Sequence, residues 1–247
     1  MASTDGGGDR DRTPPTLTHR HALLFTLLAG VAGYVDAVSY LDLGGVFTAN
    51  MTGNFVLLSI AIGQGETSAA FRSGVALCGF VLGGVIGEGF ARRIDEASTW
   101  SVARRVVLLE LGTLSASAVG RYLATPFSGW VTGVVILLSA IAMGLQTVAT
   151  RHLWMPDVST TYLTGYLTNM VVRTVDWLGS TPLRGGASPD SRGSASSFVP
   201  WLNLFAVVWI LYAIGAIAGS ALVPRWPSLV LAVPVAVLVI VLGATTR

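Results

Sequence analysis

The chain has 247 residues, of which 52% are hydrophobic and only 11% charged, with a formal net charge of +2. Soluble domains carry about 25% charged residues, so the charge deficit excludes an ordinary water-soluble globule. The 15 basic residues are all Arg and form no stripe, which argues against a nucleic-acid surface. The single Cys78 excludes an intrachain disulfide and a CxxC metal site.

In chain order, residues 1–21 form a polar tail rich in Gly, Pro and charge, of the composition expected for disorder. Apolar segments follow at about 22–42, 46–63, 71–91, 106–124, 129–149, 158–178, 199–223 and 227–244. At about 1.5 Å per residue, most are long enough for a hydrocarbon core of about 30 Å. Residues 43–65, 122–150, 193–224 and 226–246 contain no Asp, Glu, Lys or Arg. The expected class is therefore an all-α polytopic membrane protein. The connection 179–198, rich in Ser, Gly and Pro, reads as a flexible loop. Six of the Trp residues, at 100, 130, 154, 177, 201 and 226, lie near segment ends, as an aromatic belt requires.

Two segments are weak. Both 46–63 and 158–178 carry Thr, Gly and Asn inside an apolar run. They also resemble each other: VFTANMTGNFV at 46–56 aligns with VSTTYLTGYLT at 158–168. Upstream, Gly33 and Gly144 open comparable approaches. Downstream, Gly83 and Gly87 have partners in Gly215 and Gly219. The order of these matches suggests a duplication, with repeats at 22–124 and 125–247.

Charge placement tests the path, because cytoplasmic loops hold the Arg excess. With all eight segments crossing, the Arg residues divide almost evenly. If the two weak segments dip in and return, Arg10, Arg12, Arg20, Arg92, Arg93, Arg104, Arg105, Arg151, Arg184, Arg192 and Arg247 lie inside, against Arg72 and Arg225 outside. The expectation is about six crossing helices plus two broken or re-entrant segments. Three crossings per half is odd, so the repeats would be inverted, with the N-terminus cytoplasmic. Inverted repeats with discontinuous helices are a common transporter plan.

Non-helical backbone inside a membrane is tolerated where it is buried in protein or lines water. Asn50, Thr52, Gly53 and Asn54 in the first break, and Thr164, Gly165 and Asn169 in the second, are candidates to contact a solute or ion. Packing of small and polar residues between helices is the alternative. Asp36 is the sharpest single residue, because a carboxylate at the centre of a spanning helix costs about 2.5–3.5 kcal/mol on insertion scales. It either couples a proton or cation to transport or contacts the solute directly, or else it pairs with Arg121 or Arg173 or caps the break. Its counterpart in the second half falls near Gln146 or Thr147. Glu88, Glu110 and Arg121 are expected near the interface, and Asp176 beside Arg173 on one helical face. Gly83, Gly87, Gly215 and Gly219 have the spacing of close-packed helices.

No enzyme signature is present. There is no HExxH, GxSxG, P-loop or dinucleotide fingerprint, and His19, His21 and His152 lie in the tail and a loop. No catalytic residue, metal or cofactor is expected.

The blocks Gly33-Tyr34-Val35-Asp36-Ala37 and Phe47-Thr48-Ala49-Asn50-Met51-Thr52-Gly53-Asn54, with the later Tyr162-Leu163-Thr164-Gly165, resemble the YoaK-type family of membrane proteins, a group of unknown function found in bacteria and fungi. In that family the second TG block often continues with Asn, where this chain has Tyr166. The resemblance implies a multi-pass bacterial inner-membrane protein and brings no substrate. On the residues, the favoured function is a small-solute secondary transporter or channel-like protein, with proton coupling as one option. The alternative is a membrane scaffold without transport. The expected partners are the lipid bilayer and a small solute or ion, and a homo-oligomer is compatible with the sequence.

Overall fold

A computed structural model describes residues 19–93, 99–123, 129–153, 168, 171–172, 174–175 and 191–244. Among the described residues there are seven helices: α1 (His19–Asp42), α2 (Met51–Gln64), α3 (Thr67–Ala91), α4 (Thr99–Leu123), α5 (Gly129–Leu153), α6 (Ser191–Leu222) and α7 (Ala232–Ala244). The all-helical architecture agrees with the class expected from composition. Three helices, over Thr67–Ala91, Ser101–Leu123 and Gly129–His152, are long and apolar enough to cross a membrane, and α5 is the most enclosed of them. The weak segment 158–178 lies almost wholly outside the described residues.

Glycine decides how the helices pair. A Cβ on Gly33 of α1 would lie 2.1 Å from the Tyr212 carbonyl oxygen of α6, and one on Gly215 would lie 2.0 Å from that of Gly30. Gly219 likewise sits against Tyr34. Position numbers rise together along both helices, so α1 and α6 run parallel with their backbones touching, as small residues permit. The pair α3 and α5 is built the same way. Gly144 meets the Phe80 carbonyl, Gly83 meets that of Ile141, and Gly87 meets Leu145 and Val148. The four packing glycines expected from sequence all lie at these contacts.

Polar ties at the helix ends fix the remaining directions. Arg121, near the end of α4, pairs with Asp42 at the end of α1. Arg72, early in α3, donates to the Gly44 carbonyl oxygen at 3.0 Å. The ends of α1 and α4 and the start of α3 therefore share one face of the bundle. At the opposite end, His152 of α5 meets Glu88 of α3 at 3.0 Å. It follows that α1 and α3 run in opposite directions, as do α1 and α5.

The path between α1 and α3 is a descent and a return. Gly44 and Gly45, with φ of 86° and 80°, turn the chain as it leaves α1, a conformation that only Gly adopts without strain. Residues 46–50 then run back along α1, where Phe47 stacks on Tyr40 with ring centroids 5.1 Å apart. By Thr48 the chain is level with Asp36, about 9 Å below Asp42 at 1.5 Å per residue. The 14 residues of α2 return over about 21 Å, too short to span the core alone. Gly65, at φ 71°, caps the helix, and the chain enters α3.

Candidate functional site

The GYVDA block sits where α1, the descending segment and α6 meet, and each of its polar groups has a task. Gly33 lets the Tyr212 backbone approach, as described above. Tyr34 donates its hydroxyl to the Val230 carbonyl oxygen at 2.8 Å, tying α1 to the segment ahead of α7. Asp36, only 2% exposed, accepts at Oδ1 from the backbone N–H groups of Thr48 at 2.8 Å and Ala49 at 2.7 Å. Its Oδ2 accepts from the Tyr212 hydroxyl at 2.7 Å. Backbone donors in an apolar interior must find a partner, and one carboxylate serves two of them together with a neighbouring helix.

The ANMTGN block completes the turn at the bottom. The Asn50 side chain caps α2 by accepting from the Gly53 N–H at 3.1 Å, a usual N-cap role. Asn54 is fully buried and pairs with the Phe47 backbone twice. It accepts the Phe47 N–H at Oδ1 over 2.9 Å and donates Nδ2 to the Phe47 carbonyl oxygen. A side-chain amide thus replaces the neighbour that an extended segment would otherwise need. A Cβ at Gly53 would come within 3.0 Å of the Phe47 ring. The Thr48 and Ser39 hydroxyls lie 3.3 Å apart.

The structure thus brings Asp36 and Asn54 together around residues 47–49. Asn50 is exposed at its cap, Gly53 is half-buried beneath Phe47, and Thr52 is exposed. Gln146 lies elsewhere, buried on α5, donating Nε2 to the Leu28 carbonyl oxygen at 2.9 Å. Thr164, Gly165 and Asn169 lie outside the described residues, as do Arg173 and Asp176.

Two expectations about charged groups are corrected. Arg121 is not a partner of Asp36. It forms a two-point pair with Asp42, Nε to Oδ2 and Nη2 to Oδ1, at the helix ends where the sequence places it. Glu110 is not interfacial but lies midway along α4, fully buried, and among the described residues neither of its carboxylate oxygens has a hydrogen-bond partner. Glu88 does lie at an exposed end, paired with Arg92 at 2.9 Å and with His152. A signal for the burial of Glu110 was present in the spacing. Glu110, Ser117 and Arg121 on α4 repeat the steps of seven and four that separate Ser139, Gln146 and Thr150 on α5, and all six are buried. Among the described residues, no three His, Cys, Asp or Glu side chains gather as a metal site would need.

The family model described as "Protein of unknown function (DUF1275)" matches residues 24–244. The chain belongs to this family. The "UPF0700 transmembrane protein YoaK" of Bacillus subtilis (strain 168) is 33% identical over 218 residues, covering 88% of this chain and 90% of that protein. No solved structure matches the chain. The match takes in both the Asp36 clasp and the α4–α5 hairpin, and it marks the chain as a transmembrane protein of a family of unknown function.

Proposed function

We propose that this protein is a secondary transporter or channel-like carrier of a small solute. It would lie in the cell (inner) membrane with a cytoplasmic N-terminus and be built from two inverted repeats. The supporting observation is the repetition of one helix contact. Positions 30 and 33 of α1 correspond to 141 and 144 of α5. Positions 80, 83 and 87 of α3 correspond to 212, 215 and 219 of α6. The two closest carbonyl-to-glycine contacts of one pair recur in the other in the same register: Gly33 on Tyr212 as Gly144 on Phe80, and Gly215 on Gly30 as Gly83 on Ile141. The α1/α6 pair also runs opposite to the α5/α3 pair, the relation expected of an inverted duplication. In this reading, residues 43–64 are a re-entrant element that enters as loop and leaves as helix. Alternating access would rock one Gly-lined pair against the other around the break at Asp36. The role is non-enzymatic, with lipid and a small solute as partners.

One observation favours a second reading, a membrane scaffold. The oxygens of Asp36 and both polar atoms of the Asn54 amide are engaged by the chain's own groups, as a purely structural latch would have them. Flux measurements on protein reconstituted in liposomes separate the two. A carrier moves at least one member of a broad panel of small solutes, and Asp36→Asn alters that rate. No flux for any solute, with the variant behaving like the parent, would rule for the scaffold.

A further inference from the structure

A second constellation of buried polar groups, separate from the clasp, lies between α4 and α5. The Ser117 and Ser139 hydroxyls are 2.7 Å apart, and Ser117 Oγ also reaches the Val135 carbonyl oxygen at 3.2 Å. This contact fixes the register of the antiparallel hairpin, with 117 facing 139. Two turns further along, the same register brings Glu110 level with Gln146. The Gln146 amide bridges to the Leu28 carbonyl of α1, so at this level α5 also touches α1.

Glu110 is 0% exposed, and neither Oε atom has a hydrogen-bond partner among the described residues. Among the described residues, no cation faces it either. Up to Thr150, α5 has no titratable group, and α7 has none. On α3, Arg72 is tied to Gly44 at one end, Glu88 to Arg92 and His152 at the other, and Cys78 is exposed. On α4 itself, Arg104 and Arg105 are exposed and Arg121 is held by Asp42. An ionised carboxylate is not sustainable in such a place without donors or a counter-charge. A metal cation would need several more oxygen ligands than this level supplies. The ligand that fits is a proton.

We propose that Glu110 is a proton-binding site. While α4 and α5 pack as described, Glu110 is a neutral acid. When their interface opens to water, the O–H bond breaks, the proton passes to water, and the carboxylate left behind opposes reclosure until it is protonated again. This deepens the transporter reading and rests on it only for the coupling to solute. It also moves the proposed coupling role from Asp36 to Glu110, because the oxygens of Asp36 already accept three hydrogen bonds.

The test is an infrared pH titration of the full chain in lipid nanodiscs, read at the carbonyl stretch of protonated carboxylic acids. The parent should show this band at neutral pH. Glu110→Gln should abolish it, and Glu88→Gln should leave it intact. Should Glu110→Gln fail to fold, Glu110→Asp should move the band. Absence of the band in the parent, or a band indifferent to position 110, overturns the proposal. Liposome flux separates the two readings. An intact band without transport of any solute refutes the carrier and leaves the proton site standing.

Discussion

At Asp36, a single carboxylate closes the break by taking two loop N–H groups and one hydroxyl. Removing it strands buried donors, each at a cost of about 1–3 kcal/mol. Asp36→Ala should therefore lower the melting temperature in detergent markedly. Asp36→Asn keeps one acceptor oxygen for Thr48 and Ala49 and should lower it far less. If the two variants melt alike, the loop contacts are not what the carboxylate is for. Asn54→Ala leaves both polar groups of Phe47 unanswered and should also destabilise, by about 1–3 kcal/mol. Thr52→Ala, at an exposed position outside the clasp, should be silent in the same melts. The partners of these groups were only partly legible in the sequence. That Asp36 stands in an apolar helix and needs company is plain from its neighbours, and capping of the break was one of the open options. That its company would be backbone from 48–49 plus a hydroxyl 176 residues away, with no Arg involved, depends on a chain reversal that no local pattern encodes.

Among the elements, the glycine contacts carry the packing, and they make a paired prediction. Gly33→Ala and Gly144→Ala each drive a methyl group into a carbonyl oxygen, at 2.1 Å and 2.3 Å respectively. Overpacking of this kind costs about 1–3 kcal/mol, so both should melt early and by similar amounts. Gly112→Ala, with nothing within 4 Å of the added carbon, should be neutral or gain up to about 1 kcal/mol from helix propensity. Unequal losses at 33 and 144 would argue against equivalent roles for the two helix pairs. The Gly spacing was readable because close approach requires Gly whatever the solvent. The inward face of α4 was harder to read. In a soluble helix the polar face points outward, whereas a helix in lipid is apolar all round. Only the seven-and-four spacing of Glu110, Ser117 and Arg121 marks that face, and the nearby Arg104 and Arg105 point Glu110 towards the interface.

For the whole molecule, the arrangement of ends makes a topological prediction. In a Cys78→Ser background, Leu41→Cys, exposed at the end of α1, and Gln64→Cys should react with a membrane-impermeant thiol reagent added to the same side of oriented vesicles. Arg92→Cys should react only from the opposite side. Labelling of positions 41 and 64 from opposite sides would mean that α2 crosses, and the descent-and-return path would fail. The six-crossing plan itself is an expectation drawn from the placement of Arg, because charge resists transfer across a membrane, and this labelling is its test.

The bond from Tyr212 to Asp36 also has a consequence for synthesis. At about 5–20 residues per second, a ribosome needs roughly 10–35 s to make the 176 residues between them. During that interval α1 is already emerging with its carboxylate, while the helix that will cover Gly30 and Gly33 does not yet exist. The nascent first half thus lacks this cover throughout that interval. A ribosome stalled before Tyr212 would leave an exposed acidic helix for quality-control proteases to recognise.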